Sequence, residues 1–253
     1  MKYKFIPVNN DLNKVVAFAN SLDQNYLKNV QKTKQKTFYV PTMEVLESLQ
    51  NEGWYIKGVD EQRASNRKIS SNYVQLHHPD FELKNNKGKM EAVSSLTISN
   101  SCNGSSPLTM DLGMYRQVCS NGLIAFDQHA ESTKIRHIET DYNNLPRILA
   151  NVNNKVGKVL ERFGILQNKN LTIEEAVKFA RQAAQLRFSD NDISETTVNE
   201  LLAVNRVEDE GMDLWSVFNR IQENLTGGIR NMSDDIRVNQ QLFSLADQYA
   251  LAV

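Results

Sequence analysis

Cysteine, proline and glycine are scarce in this 253-residue chain: two Cys, five Pro and eleven Gly. Two thiols, Cys102 and Cys119, are too few for a disulfide framework or a Cys-based zinc site. So little proline and glycine argues against a long disordered tail or a fibrous chain. No run of about 18 uncharged apolar residues occurs, which excludes a transmembrane helix. The opening MKYKFIPVNNDLNKVV carries Asn and Asp where a signal peptide needs an apolar core. Neither G-x-x-x-x-G-K-[ST] nor G-x-G-x-x-G is present, so an ATP-driven motor or a dinucleotide enzyme is not expected. Net charge is nearly absent as well, at −1 from 29 Lys+Arg and 30 Asp+Glu. What is present, 40% hydrophobic and 23% charged residues, suits one large domain or two modest ones in an intracellular globular protein.

Charge is distributed unevenly along the chain. The balance is +5 over residues 1–90, −3 over 91–133, +5 over 134–187 and −8 over 188–253. Such segregation can gather positive potential on one face while the total stays near zero. It suits a polyanion partner for the first part and not for the acidic last part.

The hydrophobic pattern changes along the chain. Val15, Val16, Phe18 and Ala19 open a weak helical signal. Thr42 is expected to cap a short amphipathic helix through Val45, Leu46 and Leu49, ended by Gly53. From Trp54 to about Val118 the period becomes that of strands: Trp54 to Arg63, Tyr73 to Leu76, Ala92 to Ile98 and Leu108 to Val118, parted by turn-rich breaks. After about residue 143 helices take over. One is expected from Leu145 to Phe163 with Gly164 at its end, and others behind the Thr172/Glu175 and Thr197/Glu200 capping boxes. A stripe from Leu214 to Leu225 stops at Gly227-Gly228, and a last helix is expected from Ile236 to Leu251. The fold class is therefore α+β: an N-terminal helix, an antiparallel β-meander, then a helical C-terminal half, with the sheet covered by helices on one side. Residues 1–140 are expected to form a mixed α/β sheet domain, and 141–253 a helical region packed on it or forming a subdomain.

Chemistry-bearing residues are few. His77 and His78 are adjacent on a strand and point to opposite faces, so they are not expected to share a metal ion. His129 and His137 lie eight apart with no H-E-x-x-H, and no metal or other cofactor is expected. Cys119 with His137, and Ser101 or Ser105 with His129, are pairs of nucleophile and base types outside any catalytic motif. An enzyme is thus the weaker expectation. Basic residues flank the strands: Arg63, Arg67 and Lys68 at one turn, Lys84, Lys87 and Lys89 at the next, preceded by Lys32, Lys34 and Lys36. With Tyr55, Tyr73 and Tyr115 they form a set suited to tracking a phosphate backbone and stacking bases without reading sequence.

From Leu96 to His137 the chain reads L-T-I-S-N-S-C-N-G-S-S, then G-M-Y-R-Q-V-C-S-N-G-L, then I-R-H. It resembles the phage/plasmid-related family of unknown function with an N-S-x-D-G-S turn, an R-x-V-C-x-N-G/T-L segment and a basic-plus-His element. The matches are Asn100, Ser101, Gly104 and Ser105, then Arg116, Val118, Cys119, Asn121 and Leu123, then Arg136 and His137. A further match to an aromatic-x-x-x-N-A-x-x-E-Y helix runs through Trp215, Asn219 and Glu223. Asn103 replaces the family's Asp, removing a carboxylate, and Arg220 replaces its Ala. The order of elements is also similar to that of Rad-type single-strand annealing proteins, many of which form rings, so an oligomer is compatible with the resemblance. The resemblance implies a mobile-element setting in a host cytoplasm and supplies no settled activity. Asn100, Ser101, Gly104, Ser105 and Asn121 suit a structured turn, while Arg116 suits either a clamp onto a carboxylate or carbonyl, or a phosphate contact.

The expected function is non-enzymatic: single-stranded nucleic-acid binding in phage or plasmid DNA metabolism, extending to annealing and recombination. Lys32, Lys34, Lys36, Arg63, Arg67, Lys68, Lys87, Lys89 and Arg116 are the candidate contacts. The alternative is an inhibitor or regulator of host machinery that binds a host or phage protein through the acidic C-terminal helices.

Overall fold

The structure, a computed structural model, describes residues 6–7, 39–63, 70–84, 90–101, 106–116 and 133–251. Its described strands form one antiparallel six-stranded sheet in chain order: β1 (Ile6–Pro7), β2 (Tyr55–Arg63), β3 (Ser70–Lys84), β4 (Met90–Ser101), β5 (Leu108–Arg116) and β6 (Thr133–Ile135). Helices α1 (Thr42–Asn51), α2 (Glu139–Asn143), α3 (Leu145–Ala150), α4 (Val152–Asn168), α5 (Ile173–Ala184), α6 (Glu195–Leu202), α7 (Leu214–Thr226) and α8 (Met232–Leu251) complete it. The α+β class, the meander and the helical C-terminal half follow the sequence pattern. The expected helix around Val15 lies outside the described residues.

Alternation sets the two faces of the sheet. In β4, Leu96 and Ile98 lie opposite Leu76 and Val74 of β3 and opposite Leu112 and Met110 of β5. All six are buried and share the hydrophobic core. Between them Ser95, Thr97 and Ser99 point the other way, with Thr97 opposite Gln75 and Asp111.

Helices α1 and α4 cover the apolar face. Val45, Leu46 and Leu49 of α1 have no exposed surface. Each such burial is worth roughly 1.5–3 kcal/mol against the open chain. Thr42 does not cap this helix: Pro41 holds the cap position, and the Thr42 hydroxyl accepts a hydrogen bond from Asn100 instead. Past the helix end Gly53 adopts φ +94°, and a Cβ there would stand 2.6 Å from His78 Nε2. Both the conformation and the space demand glycine. Trp54 follows, its indole N–H donating to Asn153 Oδ1 of α4 at 2.8 Å.

Among the C-terminal helices, α5 begins at the expected capping box of Thr172 and Glu175, and α7 ends before Gly227-Gly228. Two details differ. Helix α4 runs through Gly164 to Asn168, because Leu166 is wholly buried and outweighs the roughly 1 kcal/mol that a mid-helix glycine costs. Helix α6 is capped by Ser194, whose hydroxyl accepts from the Thr197 N–H, so Thr197 is the third helical residue and not the cap. Helices are not confined to one side: Ser233 Oγ of α8 lies 2.9 Å from Tyr73 Oη, and Gln240 donates to Asp111 at 3.4 Å, both on the polar face. Farther along α8, Phe243 packs on Phe163 of α4 at 4.9 Å, and Phe163 meets Trp215 of α7 edge-on at 5.1 Å.

Candidate functional site

The end of β4, the residues leading into β5 and the segment after β6 meet where the chain enters α1, and Asn100, Ser101 and His137 of the motif lie there. Asn100 donates through Nδ2 to Val40 O at 3.2 Å and to Thr42 Oγ1 at 3.0 Å; its Oδ1 has no partner among the described residues. Ser101 Oγ donates to Ser106 O at 2.9 Å and accepts from Ser106 N–H at 3.1 Å, closing the β4–β5 connection. His137 Nδ1 accepts from the Val40 N–H at 3.2 Å, which leaves the ring proton on Nε2, 3.0 Å from Ser106 O. Its ring stacks on Tyr39 at 5.3 Å. Burial lowers the His137 pKa from its ordinary value, only partly opposed by the bond to Ser106. A neutral imidazole with both nitrogens engaged by main chain is a latch, not a general base. Its suggested thiol partner Cys119, like His129, lies outside the described residues.

Arg116 sits at the far end of β5, wholly buried. Its Nη1 donates to Asp209 Oδ1 at 2.6 Å and its Nη2 to Glu91 Oε1 at 3.3 Å. Glu91 also accepts from Trp215 Nε1 at 2.5 Å and from Gln167 Nε2 at 3.0 Å. Strand β5, the start of β4, the end of α4 and the entry to α7 are thus tied at one ionic node. Burial, joined by the negative charges of Glu223 and Glu91, raises the Asp209 carboxyl above its ordinary pKa against the pull of the adjacent guanidinium. Of the two roles open to Arg116, the carboxylate clamp is the one present. No phosphate can reach this guanidinium, so it leaves the set of candidate nucleic-acid contacts.

The paired histidines do face opposite ways. His78 hydrogen-bonds Glu52 O at 3.0 Å on the α1 side, while His77 meets the edge of Tyr55 on the polar face. Burial, helped by the positive charge of Lys57, lowers the His77 pKa to about 4. Tyr73 is buried beneath α8 and offers no open ring for a base to stack on. Among the described residues no group of three His, Cys, Asp or Glu side chains converges as metal ligands would, and no described helix is long and apolar enough to cross a membrane.

A groove of about 480 Å³ opens beside the sheet edge, lined by Thr133 and Lys134 of β6, Ile148 of α3, Asn151, and Asn154, Lys155 and Lys158 of α4. Among the described residues its lining contains no acidic side chain. Lys155 is half-buried and donates from Nζ to Thr133 Oγ1 at 3.0 Å, so one ammonium is held in place where helix meets strand. Lys134 and Lys158 are exposed on either side. On one flank Arg136 is taken by Asp141 in a two-pronged pair at 2.9 and 3.1 Å. On the other, Arg162 is paired with Asp247. Among the described residues, Lys134, Lys155 and Lys158 are the basic side chains that line the groove. Sequence reasoning missed these lysines as a set because Lys134 lies on a three-residue strand that no periodicity reveals. The +5 balance of residues 134–187 was the one signal of them.

Of the residues expected to bind nucleic acid, Lys32, Lys34, Lys36, Arg67, Lys68, Lys87 and Lys89 lie outside the described residues, as do Gly104, Ser105 and Asn121 of the motif turn. Arg63 is the last residue of β2. The family model for a domain of unknown function, DUF932, matches residues 33–246. Two proteins of Escherichia coli (strain K12), the UPF0380 proteins YfjQ and YafZ, are each 26% identical over 227 residues, covering 83% of this chain and 81% of their own length. No solved structure matches.

Proposed function

We propose, starting from the fact that the chain belongs to the DUF932 family, that it is a non-enzymatic protein binding single-stranded nucleic acid in phage or plasmid DNA metabolism. The observation that carries this reading is the groove between β6 and α4, whose lining among the described residues includes Lys134, Lys155 and Lys158. Phosphate is the natural occupant of such a site, and lysines on phosphate leave the bases exposed for pairing, as annealing requires. The motif resemblance supports the mobile-element setting. Lys32, Lys34, Lys36, Arg63, Arg67, Lys68, Lys87 and Lys89 belong to the proposal as further contacts contributed by the N-terminal part of the chain.

The affinity is electrostatic and falls with salt. With about three phosphate contacts, log K declines with log salt at a slope of about −2, so binding weakens roughly 20-fold from 50 to 200 mM. Fluorescence anisotropy of a labelled oligonucleotide at those two concentrations tests it, and no binding at 50 mM overturns it.

A second reading draws on the opposite charge. Glu200, Glu208 and Glu210 are exposed, as are Val204 and Val207, the latter at 77%. An acidic surface with apolar side chains suits a basic protein partner in the host. Charge reversal at Glu208 and Glu210 should then abolish capture of that partner while oligonucleotide binding persists.

A further inference from the structure

We infer that the turn at Val207–Glu210 is a docking point for a basic segment of another protein, whose apolar side chains pack on Val207 while its cations meet Glu208 and Glu210. The inference rests on the second reading above and specifies how that partner is held. In the link between α6 and α7 the usual sorting of side chains is inverted. Two of its charged residues turn inward: Asp209, 1% exposed, accepts from buried Arg116 at 2.6 Å, and Arg206 grips Glu223 of α7 through two hydrogen bonds at 2.7 and 3.1 Å. Its apolar residues turn outward: Val207 is 77% exposed, and Val204 and Met212 are exposed on either side of it along the chain. Val207 gains its full burial energy only on contact with a partner.

The turn is compact and held from beneath. It is a single 3₁₀ turn, closed by the Asp209 N–H on Arg206 O at 3.0 Å and the Glu210 N–H on Val207 O at 3.3 Å. Side chains three apart eclipse in such a turn. Val207 and Glu210 therefore share its outer side with exposed Glu208, while Asp209 points into the protein. After the turn, Gly211 O accepts from Arg220 at 2.7 Å; before it, the Asn224 amide donates to Leu201 O and Ala203 O at 3.2 and 3.0 Å. A loop tied at so many points loses little freedom on binding. The Glu208 and Glu210 carboxylates take part in no ion pair among the described residues. Two such carboxylates beside a valine repel a nucleic acid and repel the same turn of a second copy, and a cationic segment with apolar side chains complements them.

The test offers the full-length protein three fluorescein-labelled peptides of about 14 residues: an amphipathic helix of Lys and Leu, the same peptide with Ser for every Leu, and the same with Glu for every Lys. Anisotropy at low salt should show the Lys/Leu peptide bound about tenfold more tightly than the Lys/Ser peptide, the share of one valine taken out of water, and the Glu/Leu peptide not bound. Val207→Ser should erase that tenfold gain, and Glu208→Lys/Glu210→Lys should abolish binding of both basic peptides, each variant keeping the wild-type circular dichroism spectrum. Equal binding of the Lys/Leu and Lys/Ser peptides overturns the inference while the basic-partner reading stands; no binding of either overturns both. Binding undiminished in the two variants puts the peptide elsewhere and overturns the inference. So does a wild-type dimer that Val207→Ser converts to monomer, since the turn is then covered by a second copy.

Discussion

Replacing Arg116 by Met keeps the apolar stem and removes the guanidinium. Two carboxylates then lose a donor. Glu91 keeps Trp215 and Gln167, but the Asp209 carboxylate has no other hydrogen-bond partner among the described residues and is almost wholly buried. Breaking one side of a buried pair costs about 3–5 kcal/mol, because the remaining charge is stranded away from water. A whole domain is held by only about 5–15 kcal/mol, so the loss should move the urea midpoint by roughly 1–2 M. The pH dependence carries a sign. Burial raises the folded-state pKa of Asp209 above its ordinary value. Its contribution therefore favours folding at low pH and is lost as pH rises through the folded-state value. Without Arg116 the Arg220 charge is left to oppose that effect, so the gap between variant and wild type should narrow as pH falls from 7 toward 5. Adding Asp209→Asn to Arg116→Met should recover part of the loss at pH 7. Urea unfolding of the four proteins in this cycle measures all of it. A loss below about 1 kcal/mol at pH 7, or no recovery from Asp209→Asn, would refute the view that this node holds the sheet to the helices.

Two further outcomes follow from other sites. His137 has a folded-state pKa below its unfolded one, so its contribution is present above about 6.5 and is lost as pH falls through the folded value. His137→Phe should be less stable than wild type at pH 7.5 and should approach it near pH 5, and a constant difference across that range counts against the latch. Gly53→Ala combines a positive φ with a Cβ 2.6 Å from His78 Nε2 and should cost about 1–3 kcal/mol, with His78→Ala in the same chain returning the steric share.

Local signals in the sequence were legible where one or two turns of chain decide the outcome. Thr172 and Glu175 satisfy each other's backbone partners whatever else the protein does, and α5 starts where they say. The stripe from Leu214 to Leu225 names its own buried face, as do the alternating residues of β4. The same logic fails where two local solutions compete: Ser194 and Thr197 both begin plausible capping boxes, and the earlier one prevails. Fold-defining contacts between distant residues left no trace. Nothing around Arg116 points to Asp209, 93 residues on, and nothing around His137 points to Val40, 97 residues back. The motif residues stood out by resemblance, but their purpose came only from the partners that folding brought to them. The groove was the least legible feature, since Lys134 comes from a strand edge and Lys155 and Lys158 from the polar side of a helix, and an ordinary solvated face looks the same in one dimension.

The borders of the sheet have a consequence for the protein at high local concentration. Among the described residues its outermost strands are two and three residues long, and each carries a residue that discourages a neighbour: Pro7 has no N–H to offer, and Lys134 sets a charge midway along the other rim. Copies crowded side by side would therefore meet without zipping their sheets into one continuous ribbon. A fifteen-residue β3 at the rim would have invited that fate.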